Sequence, residues 1–156
     1  MRRSDREVTD PVIIRDIITN CTCCRLGLCD GDRAYIVPLN FGFTEKDGHY
    51  TLYFHSAMEG RKIGLLKAAD WVAFEMDRGH ELVEGSDSSS CSARYQCVMG
   101  GGPVALLEDR EEKKAGLAAL MLHDTGRSDW TFEDAVVDKT AVLRLDVEEL
   151  TCKVRA

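Results

Sequence analysis

The sequence lacks what a membrane span, a nucleic-acid binder or a secreted disulfide scaffold would need. No run approaches the ~20 apolar residues of a membrane helix, and no apolar segment follows the charged opening MRRSDREVTD to act as a targeting signal. Positive charge is in short supply. Lys and Arg total 20 against 27 Asp and Glu, a formal charge of −7, and no basic run offsets it, so phosphate backbones and anionic membrane surfaces are poor partners. The 7 cysteines are odd in number and come without a secretion signal, which excludes a disulfide framework and leaves free thiols in a reducing cytoplasm as the expectation. No internal repeat and no dinucleotide fingerprint of the GxGxxG kind is present.

What is there is ordinary globular material: 156 residues, 44% apolar and 30% charged. That is enough for one domain over residues 1–156 with a core that needs no staples. Asp10-Pro11 marks a helix start, and Ile13, Ile14, Ile17, Ile18 and Cys21 recur at helical spacing, predicting an apolar face. From Cys23 the period changes to two, with Cys24, Leu26 and Leu28 on one side. Asp30-Gly31 turns into a second strand over 34–41, where Pro38 marks a bulge or an edge. Asp47-Gly48 is a further hairpin signal before a strand over 50–54. A short helix over 60–69, a strand over 71–76 and a polar loop over 84–92 follow. A strand over 95–107 should bulge or bend at Gly100 to Pro103. A second long helix over 109–123 stops at Thr125-Gly126, and a strand over 140–147 ends the pattern. About six strands joined by hairpins, with helices to one side, predict an α+β, mainly β, or barrel architecture.

The cysteine cluster Cys21, Cys23, Cys24 and Cys29 does not carry zinc spacing, which needs two ligand pairs. Small buried hydrophobes is the reading, and no metal is expected. Cys91, Cys97 and Cys152 form no pattern. Of the four histidines, His49 reads as a solvated turn residue, His80 as a loop residue, and His123 as a helix end where a cation suits the dipole. His55 differs: a strand runs into His55-Ser56, then a glycine-bearing loop, then Arg61-Lys62 at a helix opening. A hydroxyl, two cations and the unpaired N–H groups of a helix start make an anion site, most naturally for phosphate. The residues support this and a merely solvated Arg-Lys pair about equally. The strand Tyr35 to Phe41 is a second candidate. Proline frees neighbouring backbone groups for a planar ligand, although an edge strand with a bulge explains it as well.

Together, MRRSDREVTD, RLGLCDGDRAYIVPLNFGF, LYFHSAMEGRKIGLLK and RLDVEELTCK resemble the pyridoxamine 5′-phosphate oxidase-related, FMN-binding split-barrel superfamily. The likeness is nearest to its nitroimidazole-resistance (5-nitroimidazole reductase-like) family and spans almost the whole chain. It implies a six-stranded split β-barrel with flanking helices that forms a homodimer with FMN at the subunit interface. By position, it implies Val37, Pro38, Leu39 and Asn40 along the isoalloxazine ring, His55 and Ser56 at the flavin and phosphate, and Arg61 and Lys62 on the phosphate. It also implies that Arg94, Tyr95 and Cys97 approach from the partner subunit. The sequence departs from the family pattern at Ala34, where proline is usual before Tyr35, at Cys97, where serine is common, and at Cys152, where glycine is usual. The chain ends at KVRA, without the arginine- and histidine-bearing tail of true pyridoxamine phosphate oxidases, so vitamin B6 synthesis is not the expected activity.

The resemblance therefore implies a cytoplasmic, FMN-dependent oxidoreductase. It would take electrons from reduced nicotinamide, NAD(P)H, and reduce a small nitroaromatic or quinone-like acceptor. No general acid or base stands out, and the flavin would carry the chemistry. Two alternatives compete: a haem-binding barrel with His55 as iron ligand, and a flavin-binding module without turnover.

Overall fold

A computed structural model describes residues 4–155. The first three residues of MRRSDREVTD and the final alanine of KVRA lie outside the described residues. After a short 3-10 turn (Ser4–Arg6) the order is β1 (Glu7–Val8), α1 (Pro11–Asn20), β2 (Cys24–Asp30), β3 (Arg33–Leu39), β4 (Gly42–Lys46), β5 (His49–Ala57) and α2 (Arg61–Ala68). Then come β6 (Trp71–Val83), β7 (Ser92–Leu106), α3 (Arg110–Thr125), α4 (Asp134–Val137), β8 (Thr140–Asp146) and β9 (Glu149–Arg155). The strands pair antiparallel in the order β3-β2-β6-β7-β8-β5-β4, with β9 on β7 and β1 on β9. The protein is a split β-barrel, mainly β, with helices at its flanks.

Local chemistry explains most elements. Asp10 caps α1 by accepting from the Val12 N–H at 2.8 Å, and Ile14, Ile17 and Ile18 are buried beneath it. Ile13, expected on that apolar face, is exposed; the helix buries a narrower stripe than the isoleucine run suggested. On β2 the period of two holds: Cys24, Leu26 and Leu28 are buried and face Leu39, Val37 and Tyr35 of β3. Asp47 and Gly48 both take positive φ, 54° and 82°, the twist that a tight hairpin between right-twisted strands demands. Pro38 sits opposite Arg25 without a register shift. Among the described residues no strand pairs with the other side of β3, so its missing N–H is tolerated because the strand is an edge.

Two expectations fail. The strand through Gly100 to Pro103 is unbroken: it pairs with β6 from Met99 to Pro103 without a shift, and the irregularity lies instead between Arg78 and Glu81. What changes at the glycines is the partner. β7 pairs with β9 as far as Gly101 and with β8 from Val104 onward. A Cβ at Gly102 would fall 1.8 Å from the Asp146 carbonyl oxygen, so glycine is needed there for close approach rather than for a bend. The chain also does not finish with β8, because β9 follows and pairs on both sides.

The core lies inside the barrel, around Phe41, Leu52, Phe54, Phe74, Met76, Leu143 and Leu145. β8 buries Ala141, Val142 and Leu143 in succession, since α3 covers its outer side. Among the described residues no helix is long and apolar enough to cross a membrane.

Candidate functional site

β5 ends at Ala57, and Met58, Glu59 and Gly60 carry the chain into α2. Gly60 takes φ 123° and offers no side-chain cap, and the first turn of α2 holds no acid. Apart from the Gly64 N–H, which returns to the Gly60 carbonyl at 3.1 Å, the start of this helix exposes N–H groups that intrahelical bonding cannot reach. Two cations open it, where the macrodipole opposes positive charge.

The two cations differ. Arg61 turns to the β2–β3 hairpin, where Nε donates to Asp30 Oδ2 at 2.9 Å and Nη2 donates to the same oxygen. Its guanidinium lies over the Tyr35 ring, 4.6 Å from the centroid. Lys62 is half-buried, and among the described residues it has neither a hydrogen bond nor an ion pair. Burial holds its ammonium below the ordinary lysine pKa. A desolvated cation without a counter-ion, beside exposed helix N–H groups, can be neutralised by an anion from outside the chain.

The fold therefore brings Arg61 against Asp30 at the end of β2 and Tyr35 of β3, with Lys62 next to it on α2. His55 and Ser56 stand on the same β5 that leads into them, opposite Val142 and Ala141 of β8; His55 is exposed and Ser56 half-buried. On β3, Val37 and Leu39 pack against the core, whereas Pro38 is exposed. Asn40 is exposed just beyond the strand, and its Nδ2 donates to Asp124 Oδ2 at 3.3 Å, tying the end of β3 to α3.

Arg94, Tyr95 and Cys97 are not part of this group within one chain. Arg94 pairs with Glu81 at 3.4 Å across the β6–β7 ribbon. Tyr95 Oη accepts from Arg6 Nη1 at 3.4 Å. Cys97 donates its thiol proton toward Glu75 Oε1 at 3.5 Å, and burial, then the Glu75 charge, pushes its pKa up to about 12. Arg25 bridges Glu75 and Asp77 at 3.0 and 2.7 Å beside it. The cysteine cluster is dispersed: Cys21 and Cys24 are buried, Cys23 half-buried and Cys29 exposed, all as free thiols.

Asp30 and Tyr35, the residues that hold Arg61, carry no sign of that contact in the sequence, where Asp30 is a turn residue and Tyr35 opens the candidate planar-ligand strand. No local pattern could reveal them, because Asp30 lies 31 residues before Arg61. His123 stands in the last turn of α3, the helix end expected for it. Its Nε2 lies 2.8 Å from the Cys21 carbonyl oxygen, and its ring lies tilted by 41° against Phe41 at 4.4 Å between centroids.

The family model of pyridoxamine 5′-phosphate oxidase matches residues 11–154. The chain belongs to that family. Among solved structures, a candidate 5-nitroimidazole antibiotic resistance protein from Bacteroides thetaiotaomicron is 35% identical, with 95% of this chain and 86% of that one covered and a TM-score of 0.81. The flavocytochrome Anf3 from Azotobacter vinelandii matches 100% of this chain and 72% of its own at 19% identity and a TM-score of 0.82. An FAD and heme binding protein from Mycobacterium smegmatis matches 96% and 73% at 18% identity and the same score, 0.82. The last two are alike in fold alone. No curated protein matches the chain. Within the pyridoxamine 5′-phosphate oxidase family, then, this member opens its α2 with an uncapped, doubly cationic turn.

Proposed function

We propose that the chain binds FMN between two copies of itself and acts as a cytoplasmic oxidoreductase that reduces a small nitroaromatic or quinone-like acceptor with electrons from reduced nicotinamide. One observation carries the reading: half-buried Lys62 has no partner among the described residues beside the uncapped start of α2. FMN fits these residues, since its phosphate supplies the missing anion. Lys62, the α2 N–H groups and Arg61 would hold that phosphate, with Ser56 as a further donor. The open edge of β3, from Val37 through Pro38 and Leu39 to Asn40, would offer main-chain groups to the ring edge, and exposed His55 would flank it. When bound, the flavin supplies electron transfer between donor and acceptor; the protein binds it, orients it and screens it from water. The relatives described as a flavocytochrome and as FAD- and heme-binding support a flavin, and the Bacteroides relative supports a nitro-compound acceptor.

The dimer rests on the outer face of the β3-β2-β6-β7 sheet. Ile36, Trp71 and Met99 are 64%, 45% and 39% exposed there, around the flat surface of Gly27 and Ala73. Covering such a face removes apolar area from water, and obligate homodimers commonly bury more than ~2,000 Å². Cys97 lies on this face, and a partner seated on it would bring its own Arg94, Tyr95 and Cys97 toward the cofactor.

An absorption spectrum of the purified protein and paired titrations with FMN and riboflavin test the reading. Two visible flavin bands, and an FMN affinity that falls roughly ten- to hundredfold in Arg61→Ala while riboflavin is unaffected, are expected. Lys62→Ala should act in the same direction but more mildly. Equal losses for both ligands would overturn the phosphate site. A Soret band that disappears in His55→Ala would replace flavin by haem, and bound FMN that no nicotinamide donor reduces would remove the enzymatic part. Light scattering at the monomer mass with FMN bound would overturn the dimer.

A further inference from the structure

We infer that Asp30 is a positioning residue for the phosphate-binding arginine: with Tyr35 it fixes the Arg61 guanidinium in advance, so that only the donors facing the anion are left free. The inference rests on the phosphate reading above and adds to it a residue outside the basic pair. Asp30 ends β2, opposite Arg33 in the hairpin register. Its carboxylate nevertheless pairs with Arg61, through Nε at 2.9 Å and through Nη2. The Tyr35 ring supports one face of the same guanidinium at 4.6 Å.

These two contacts restrain what an arginine side chain otherwise leaves loose. The ring holds the guanidinium on one side, and the carboxylate engages its Nε edge, so the two together limit where it can turn. Nη1 and the second Nη2 hydrogen have no acceptor among the described residues. The ion pair adds little to folding stability, because both side chains are substantially exposed, 59% for Arg61 and 38% for Asp30, and exposed pairs contribute little. Its effect falls on binding instead. An arginine already held in one orientation loses less rotamer freedom when an anion arrives, and a fork shared between carboxylate and phosphate can serve each with a different edge. Asp30 also adds a negative charge near an anion, which opposes binding. The structure favours positioning over opposition because the carboxylate occupies the Nε edge and leaves Nη1 open.

The test is a double-mutant cycle read by FMN and riboflavin titration, with thermal melts to confirm folding. Asp30→Ala should weaken FMN roughly three- to tenfold and leave riboflavin unchanged. Asp30→Asn, which keeps an acceptor oxygen but loses the charge, should fall between. In an Arg61→Ala background, Asp30→Ala should change nothing further, because the arginine it positions is gone. Tighter FMN binding in Asp30→Ala would overturn the inference and make the carboxylate a competitor of the phosphate. Equal losses for FMN and riboflavin, or an undiminished loss in the Arg61→Ala background, would overturn it by showing a structural role. Should Arg61→Ala itself fail to distinguish FMN from riboflavin, the phosphate reading falls and this inference with it, an outcome separate from the others because it is read without touching Asp30.

Discussion

The two helices that flank the barrel, α3 and α2, are built to opposite rules. α3 satisfies its own ends. Asp109 accepts from the N–H groups of Glu111 and Glu112 at 2.9 and 3.0 Å, acids occupy the first turn, and Gly126 closes the far end at φ 70° with its N–H on the Leu122 carbonyl at 2.8 Å. Its body is pressed so closely on β4 that a Cβ at Gly42 would lie 2.3 Å from the backbone of Ala119 and Leu120. α2 has no capping side chain, no first-turn acid and two cations where its dipole is positive. One helix is arranged for stability. The other pairs Arg61 with Asp30 but leaves Lys62 without a counter-ion among the described residues, a local rule broken there without compensation, which invites a ligand from outside the chain.

The sharpest way to break this contrast is at the α3 contact. Gly42→Val should cost about 3 kcal/mol or more, because the collision is with main chain that cannot move aside; urea unfolding measures it, and a loss below about 1 kcal/mol would deny the close contact. A smaller effect is expected at the cap, where Asp109→Ala should cost about 1 kcal/mol in the same experiment. Alkaline pH should then act oppositely on Cys21 and on Lys62. Burial pushes the thiol of Cys21, at the end of α1, up to about 11, from an ordinary value of 9.0. Between those values the unfolded chain gives up the proton and the folded one keeps it, so stability from this site is intact below pH 9 and declines toward pH 11. Lys62 is lowered from 10.5, so the folded chain loses its proton first and stability rises as pH climbs toward 10.5. Unfolding at pH 8 and pH 10.5 should show a smaller alkaline loss in Cys21→Ala than in the parent, and a larger one in Lys62→Met. The smallest effect should come from Lys62→Ala without ligand, within about 0.5 kcal/mol of the parent near neutral pH, since an unpaired cation at a helix start contributes nothing favourable to the fold. A loss above 1 kcal/mol would mean that Lys62 has a structural partner and that α2 is no different in kind from α3.

The sequence by itself determined much of the local architecture and pointed to the candidate site. Asp10-Pro11, the alternation of Cys24, Leu26 and Leu28, and Asp47-Gly48 each act through neighbours a few residues away, so capping, side-chain period and turn geometry could be read directly. The Arg61-Lys62 opening was legible for the same reason, because a cation pair at a helix start conflicts with the dipole of that same helix. Only the tertiary structure decided the rest. Whether the glycines of β7 bend the strand or admit a neighbouring carbonyl depends on where Asp146 lies. That His123, at the helix end, meets the Cys21 carbonyl and the Phe41 ring depends on α3 being laid across them. The difference between Arg61, tied to Asp30 and Tyr35, and Lys62, left without a counter-ion, follows from a hairpin folding back across 31 residues, and an ion pair formed by chain return leaves no periodicity in the sequence to announce it.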